Sequence, residues 1–85
     1  MSQRYLIKGV HWVWNPDMFF SGFILDGING DVDPIVGGDL IGGLPDTATI
    51  EQWNEWAKQQ VGKYLVCDEI IYKAFATRGK TRIEA

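Results

Sequence analysis

The sequence predicts an α+β fold, a single small domain with one amphipathic helix packed on a mostly antiparallel sheet of four or five strands. Two runs of β-branched and aromatic residues occupy the first 25 positions, the clearest helical periodicity falls at 49–61, and another β-type run follows. The expected order is therefore β-β-(β)-α-β-β. At 85 residues, the chain has the length of one domain, spanning 1–85.

The first predicted strand is RYLIKGVHWVW, residues 4–14. With regular alternation, Trp12 and Trp14 lie on one face and His11 on the other. Both faces are partly apolar, which favours either a central strand or a strand covered on both sides.

The tripeptide Asn15-Pro16-Asp17 predicts a turn, because proline presets the backbone torsion angle φ. The next run, MFFSGFIL at residues 18–25, predicts the second strand of an antiparallel hairpin. Gly22 within it indicates a bulge or a close approach by another side chain.

Residues 22–46 form a stretch rich in glycine and aspartate, GFILDGINGDVDPIVGGDLIGGLPD, with no lysine or arginine. The stretch does not fit a phosphate loop, because Gly43 and Leu44 stand where the loop motif requires Lys and Ser or Thr. The dipeptides Asp26-Gly27 and Asn29-Gly30 predict surface turns, and Val32 through Val36 predict a short edge strand interrupted by Pro34.

Calcium is the other ion that such a stretch suggests, because aspartates supply hard oxygen ligands. An EF-hand loop begun at Asn29 fails, since Pro34 takes the place of the required glycine and Leu40 that of the final glutamate. An adventitious site on Asp31, Asp33 and Asp39 stays open as an alternative. We expect no metal and no cofactor.

The helix prediction depends on a capping box, in which Thr49 is the N-cap and Gln52 lies three residues on. One apolar stripe then contains Ile50, Trp53, Ala57 and Val61, with Trp56 at its edge. Gly62 is placed to end the helix in a left-handed conformation.

The remaining chain predicts further strands. KYLVCDEIIYKAFAT, residues 63–77, fits one long strand or two shorter ones separated near Asp68 and Glu69. RGK at 78–80 predicts a turn, and TRIE a final short strand.

Charge is unevenly distributed along the chain. The net charge is −3, yet no lysine or arginine occurs from Gly9 through Ala57, a segment that holds eight acidic residues. Such an asymmetric field attracts a basic partner and opposes direct nucleic-acid binding. A simpler interpretation is that the acidic turns keep a tryptophan-rich small protein soluble.

Catalytic groups are sparse. A structural zinc site needs about four Cys or His ligands, and the chain contains only Cys67 and His11. Cys67 lies in an apolar run, where a buried, inert thiol is the usual outcome. Asp68 and Glu69 point to opposite faces of a regular strand, so they form a poor acid–base pair. We therefore expect a non-enzymatic protein.

Protein recognition is the function that remains. Four tryptophans, four phenylalanines and three tyrosines exceed what one small core needs, and aromatic residues dominate binding hot spots. The predicted partner-binding residues are three tryptophans as anchors and seven acidic residues that give charge complementarity: Trp12, Trp14, Trp56, Asp26, Asp31, Asp33, Asp39, Asp46, Glu51 and Glu55.

The most concrete form of this prediction is a small acidic inhibitor of a basic, nucleic-acid-handling protein. By physical analogy alone, phage-encoded antagonists of host defences, including anti-CRISPR proteins that mimic nucleic-acid charge, have this profile. One alternative is a sugar-like ligand stacked on an exposed Trp12 or Trp14. Another is a self-assembling subunit or homodimer that pairs edge strands.

The expected location is a reducing cytoplasm, that of the host if the chain is phage-encoded. The single cysteine cannot form an intrachain disulfide, and the N-terminal residues do not resemble a secretory signal. No apolar run has the ~18–20 residues that span a bilayer, so we expect no membrane association.

Overall fold

Seven strands and one helix form the fold in the part of the chain that the structure describes. The computed structural model describes residues 2–14, 16–36 and 38–85. Its elements, in chain order, are β1 (Gln3–Trp14), β2 (Met18–Leu25), β3 (Asp31–Val32), β4 (Gly38–Leu40), α1 (Ile50–Gln59), β5 (Tyr64–Cys67), β6 (Glu69–Ile71) and β7 (Ala76–Glu84). The α+β class is confirmed, whereas the expected four or five strands become seven.

β1 is the central strand of the fold, as predicted. The strand order is β3-β2-β1-β5-β7-β4, and β6 also pairs with β7. The first residues of β1, Gln3–Leu6, pair with β5, whereas its later residues pair with β2. One long strand therefore belongs to two parts of a curled sheet.

The two ends of this sheet come together through the segment that follows β3. The Asp33 backbone N–H donates to the Phe75 carbonyl oxygen at 3.0 Å, and Asp33 forms a bridge to Ala76 at the start of β7. Farther along, β4 runs parallel to β7, with Asp39 in register with Lys80. The sheet therefore curls around a small interior instead of presenting a flat face.

Two register shifts between β1 and β2 overturn the regular alternation predicted for β1. One lies between Ile7 and Gly9, and the other between His11 and Trp12. The first shift adds a residue, so that Ile7 and Val10 both contact the core although they are three positions apart. Regular alternation along a strand would place Ile7 and Val10 on opposite faces of the sheet.

The predicted turn at residues 78–80 is wrong, because these residues lie inside β7. The chain turns at 72–75 instead, and Gly79 has a φ of +80° within the strand. Opposite it, Asp68 separates β5 from β6 and donates its backbone N–H to the Arg78 carbonyl oxygen at 3.1 Å. The glycine therefore marks a bulge that accommodates Asp68, and the predicted break near Asp68 is present.

The core lies between the curled sheet and the helix. Its buried residues come from nearly every element: Ile7, Phe23, Leu25, Ile28, Val32, Ala57, Leu65, Cys67 and Ile70. Cys67 is buried as predicted, and loss of hydration on burial raises the pKa of its thiol. Among the described residues, no helix has the length and apolar content needed to cross a lipid bilayer.

The helix begins with the predicted capping box. The Gln52 backbone N–H donates to the Thr49 hydroxyl at 3.1 Å, and the Thr49 backbone N–H donates to the Gln52 side-chain oxygen at 2.8 Å. The helix ends at Gln59, before Gly62, which nevertheless has the predicted positive φ of +91°.

The face that the helix buries differs from the predicted stripe. Ile50 is 61% exposed and Val61 is 43% exposed, so neither end of that stripe is in the core. The buried helical residues are Asn54 and Ala57. The contact face is rotated because the Asn54 side chain bonds to β2, a tertiary interaction that apolar periodicity does not report.

Replacing Thr49 with alanine should lower the free energy of unfolding by about 1 kcal/mol, because the Gln52 N–H loses its acceptor. Chemical denaturation measures the change. Thr47→Ala is the matched control, since Thr47 is an exposed threonine outside the helix. Equal effects of the two substitutions would contradict a specific role for the cap.

Candidate functional site

A groove of about 790 Å³ between α1 and the segment that precedes it is the larger cavity described in the structure. Its lining brings together three of the predicted partner-binding residues, Glu51, Glu55 and Trp56. The other lining residues are Leu44, Pro45, Thr47, Ala48, Thr49, Gln52 and Gln59. Among these described lining residues there is no lysine or arginine.

Local hydrogen bonds fix both walls of the groove. On one side, the Ala48 backbone N–H donates to the Pro45 carbonyl oxygen at 2.9 Å, which closes a tight turn. The capping box then joins this turn to the helix. The helical wall carries Glu51 and Glu55 four residues apart, and this spacing places both carboxylates on one helical face.

Trp56 links the groove to the core. Its ring lies 5.8 Å from that of Phe23 and 6.2 Å from that of Phe20, in tilted geometry. Trp53 meets it edge-on at 5.3 Å. Trp56 is therefore half-buried, with part of its surface packed on the hydrophobic core and part lining the groove.

Glu55 has a basic neighbour on its own helix. The Lys58 ammonium lies 3.1 Å from the Glu55 carboxylate, and both side chains are at least half exposed. Exposed pairs at this spacing are weak, so the pair leaves Glu55 able to bind another cation. Lys58 also lies 5.9 Å above the ring of Trp12, which is half-buried.

The predicted acidic residues outside the groove lie in separate parts of the structure. Asp31 lies 3.4 Å from the His11 ring and accepts a hydrogen bond from Ser21, whereas Asp33 accepts one from the Ile35 backbone N–H at 2.8 Å. These two carboxylates are engaged within the fold.

The remaining predicted residues are exposed at separate places. Asp26 follows β2, Asp46 lies in the turn before α1, and Asp39 sits beside Lys80 in the β4–β7 pairing. Trp14, at the end of β1, is 71% exposed.

A second cavity, of about 350 Å³, borders the His11–Asp31 pair. Gly22 lies opposite His11 in the sheet, and a Cβ at Gly22 would come within 2.8 Å of an Asp31 carboxylate oxygen. The predicted close approach at Gly22 is therefore present. The absence of a side chain lets Asp31 reach across β2 toward His11.

His11 and Cys67 lie far apart, which bears on nucleophilic chemistry. Cys67 pairs with Gln3 on β1, and His11 is eight residues farther along the same strand. At about 3.3 Å per residue, the separation is roughly 25 Å. A Cys–His pair within one chain is therefore not formed. The described residues also contain no group of three or more His, Cys, Asp or Glu side chains placed to hold a metal ion.

Asn54 is a structurally important residue that the sequence did not single out. Its side-chain oxygen accepts from the Phe20 backbone N–H at 2.8 Å, and its amide nitrogen donates to the Met18 carbonyl oxygen at 2.9 Å. The amide thus occupies the outer edge of β2 as a neighbouring strand would. The one sequence signal for this role is that Asn54 is a polar residue next to the apolar positions of the helix.

Comparisons with protein-family models, with curated proteins and with solved structures found no match to this chain.

Proposed function

We propose that the chain is a non-catalytic protein-interaction module that binds a basic segment of a partner protein in the groove along α1. The observation that carries the proposal is the groove's lining, which combines two carboxylates with a half-buried tryptophan and has no lysine or arginine among the described lining residues. An arginine or lysine side chain matches this combination by charge and by contact with the aromatic ring.

Arginine suits the groove better than lysine does. Its planar guanidinium can bond a carboxylate through two parallel N–H groups and stack on an indole face. Glu51 and Glu55 lie about one helical turn apart along the helix axis, so an extended peptide running along the helix could place every second side chain, if basic, on them. The sharper form of the proposal is an inhibitor that occupies the nucleic-acid-binding surface of such a partner in a reducing cytoplasm.

Salt dependence follows from the same charges. Exposed carboxylates attract a basic partner through solvent, and the attraction is screened beyond ~10 Å at 0.1 M salt. Complementary charges mainly raise the association rate, so salt should slow association more than it speeds dissociation.

The double variant Glu51→Gln/Glu55→Gln should weaken binding of an arginine-rich peptide about tenfold, because two charge-assisted contacts are lost. Fluorescence anisotropy of a labelled peptide at low and high salt measures the effect. Affinity capture from a nuclease-treated bacterial lysate, with wild type and variant in parallel, then identifies protein partners that need the same two carboxylates.

The matched control is Asp26→Asn/Asp39→Asn, which removes the same charge from exposed positions outside the groove. We expect this control to weaken binding less than threefold, a general field effect. If the two double variants weaken binding equally, the acidic surface as a whole binds the peptide and the groove proposal is overturned. Binding that is unchanged in both overturns the acidic-partner proposal itself.

A further inference from the structure

We propose that two copies of this chain pair through the second half of β1 and form one continuous sheet around a two-fold axis. β1 runs from Gln3 to Trp14, but β5 covers only its first part: the paired residues are Gln3–Leu6, and Ile7 bonds to Gly62 and Lys63. Beyond Ile7, on the side away from β2, no strand of the described chain pairs with β1. About seven residues of strand edge are left without a strand partner.

The backbone groups on this edge can be assigned from the bonds of Asn54. The Phe20 N–H and the Met18 carbonyl point away from β1, since both bond to Asn54. Phe19 between them therefore points its backbone groups toward Val13, its partner on β1.

Successive residues of a strand point their N–H and C=O groups in opposite directions. The backbone N–H and C=O groups of Val13 point toward β2. The backbone groups of Trp12, Trp14 and Val10 therefore point toward the open edge. Unpaired groups of this kind are a ready template for another strand.

The composition of this edge does not protect it from pairing. The only charged residue of the edge is Lys8, at its start; from Gly9 to Trp14 the sequence is GVHWVW, without lysine, arginine, aspartate, glutamate or proline. Folded proteins usually block open edges with charges or proline. An edge that is uncharged beyond Lys8, β-branched and aromatic favours a partner strand of the same character, and a second copy of β1 is such a strand.

A two-fold axis restricts the register. In an antiparallel pair of identical strands, the axis passes midway between a residue and its own copy, which face each other across the interface. Placing Trp12 there pairs Val10 with Trp14 of the second copy and uses all three outward-pointing residues. This register gives about six backbone hydrogen bonds.

The same register brings opposite charges together at both ends of the interface. In this register, position 8 of one copy lies opposite position 16 of the other, so that Lys8 comes next to Asp17 of the second copy. Both side chains are exposed in the single chain. The charge complementarity occurs twice by symmetry, which favours a second copy over an unrelated strand.

The test is a charge exchange, followed by sedimentation velocity over a range of protein concentrations. We expect the wild type to dimerise, and Lys8→Asp or Asp17→Lys to raise the dimer dissociation constant about tenfold, because each places two like-charge pairs in the interface. The double variant Lys8→Asp/Asp17→Lys should return to within about threefold of the wild type.

Trp14→Lys should also weaken the dimer, because it introduces a charge on the pairing edge. Tyr72→Lys is its matched control, since Tyr72 is a similarly exposed aromatic residue in the β6–β7 turn. Circular dichroism establishes that each variant is folded. A wild type that stays monomeric at all concentrations overturns the proposal, as does a dimer that the charge reversals leave unchanged.

Discussion

Gly79→Ala should lower the free energy of unfolding by about 3 kcal/mol, because two separate penalties coincide at this residue. The φ of +80° is a left-handed conformation, which costs an L-residue roughly 1 kcal/mol. In addition, a Cβ at Gly79 would overlap a carboxylate oxygen of Asp68 and lie 2.9 Å from the Asp68 Cβ. Overlap of this size forces the two strands apart and adds about 1–3 kcal/mol.

Gly27→Ala isolates the backbone penalty from the steric one. Gly27 has a similar φ of +85°, but nothing lies within 4 Å of a Cβ built there. We expect this control to lower stability by only about 1 kcal/mol in urea denaturation. Adding Asp68→Gly to Gly79→Ala should recover part of the loss, because it removes the atoms that clash. Equal losses for the two alanine variants would show that strand packing at the bulge does not matter.

The same glycine explains why the end of the sheet was predicted incorrectly. Arg78-Gly79-Lys80 has the composition of a turn, and a glycine with positive φ is indeed present. A turn and a strand bulge both require this conformation, so the local sequence cannot distinguish them. The distinction depends on Asp68, which lies eleven positions before Gly79 and occupies the space opposite it in the sheet.

The early hairpin was predictable because its signals are local. β2 has the predicted bounds, Met18–Leu25, and the capping box begins the helix where expected. β4 was not predictable. It has three residues and pairs in parallel with β7, far along the chain, so no local turn or periodicity indicates it.

The candidate site was predictable only where local structure decides it. Glu51, Glu55 and Trp56 come together because helical spacing places them on neighbouring positions of one surface. The aspartates of the 22–46 stretch depend on where each turn is placed by the sheet. Asp31 and Asp33 accept hydrogen bonds within the fold, a role that composition alone does not reveal.

Asn54→Leu should lower the free energy of unfolding by about 2–4 kcal/mol, although leucine is apolar, has the same branched arrangement of side-chain heavy atoms and is a better helix former. The substitution leaves the Phe20 N–H and the Met18 carbonyl without their partner in a partly buried position. Each buried polar group that loses its hydrogen bond costs about 1–3 kcal/mol. Helix propensity returns only about 0.5 kcal/mol, so the loss dominates. Thermal and chemical denaturation measure the result.

Asn54→Asp separates the two bonds, because a carboxylate accepts from Phe20 but, when ionised, cannot donate to Met18. Protonating the carboxylate restores a donor and removes a buried charge. The stability of Asn54→Asp relative to wild type should therefore rise as pH falls below the carboxyl pKa in the folded state. Gln59→Leu, on the exposed side of the same helix, is the control and should change stability by less than about 0.5 kcal/mol. If Asn54→Leu is as stable as this control, the edge of β2 does not need the amide, and apolar packing alone holds the helix on the sheet.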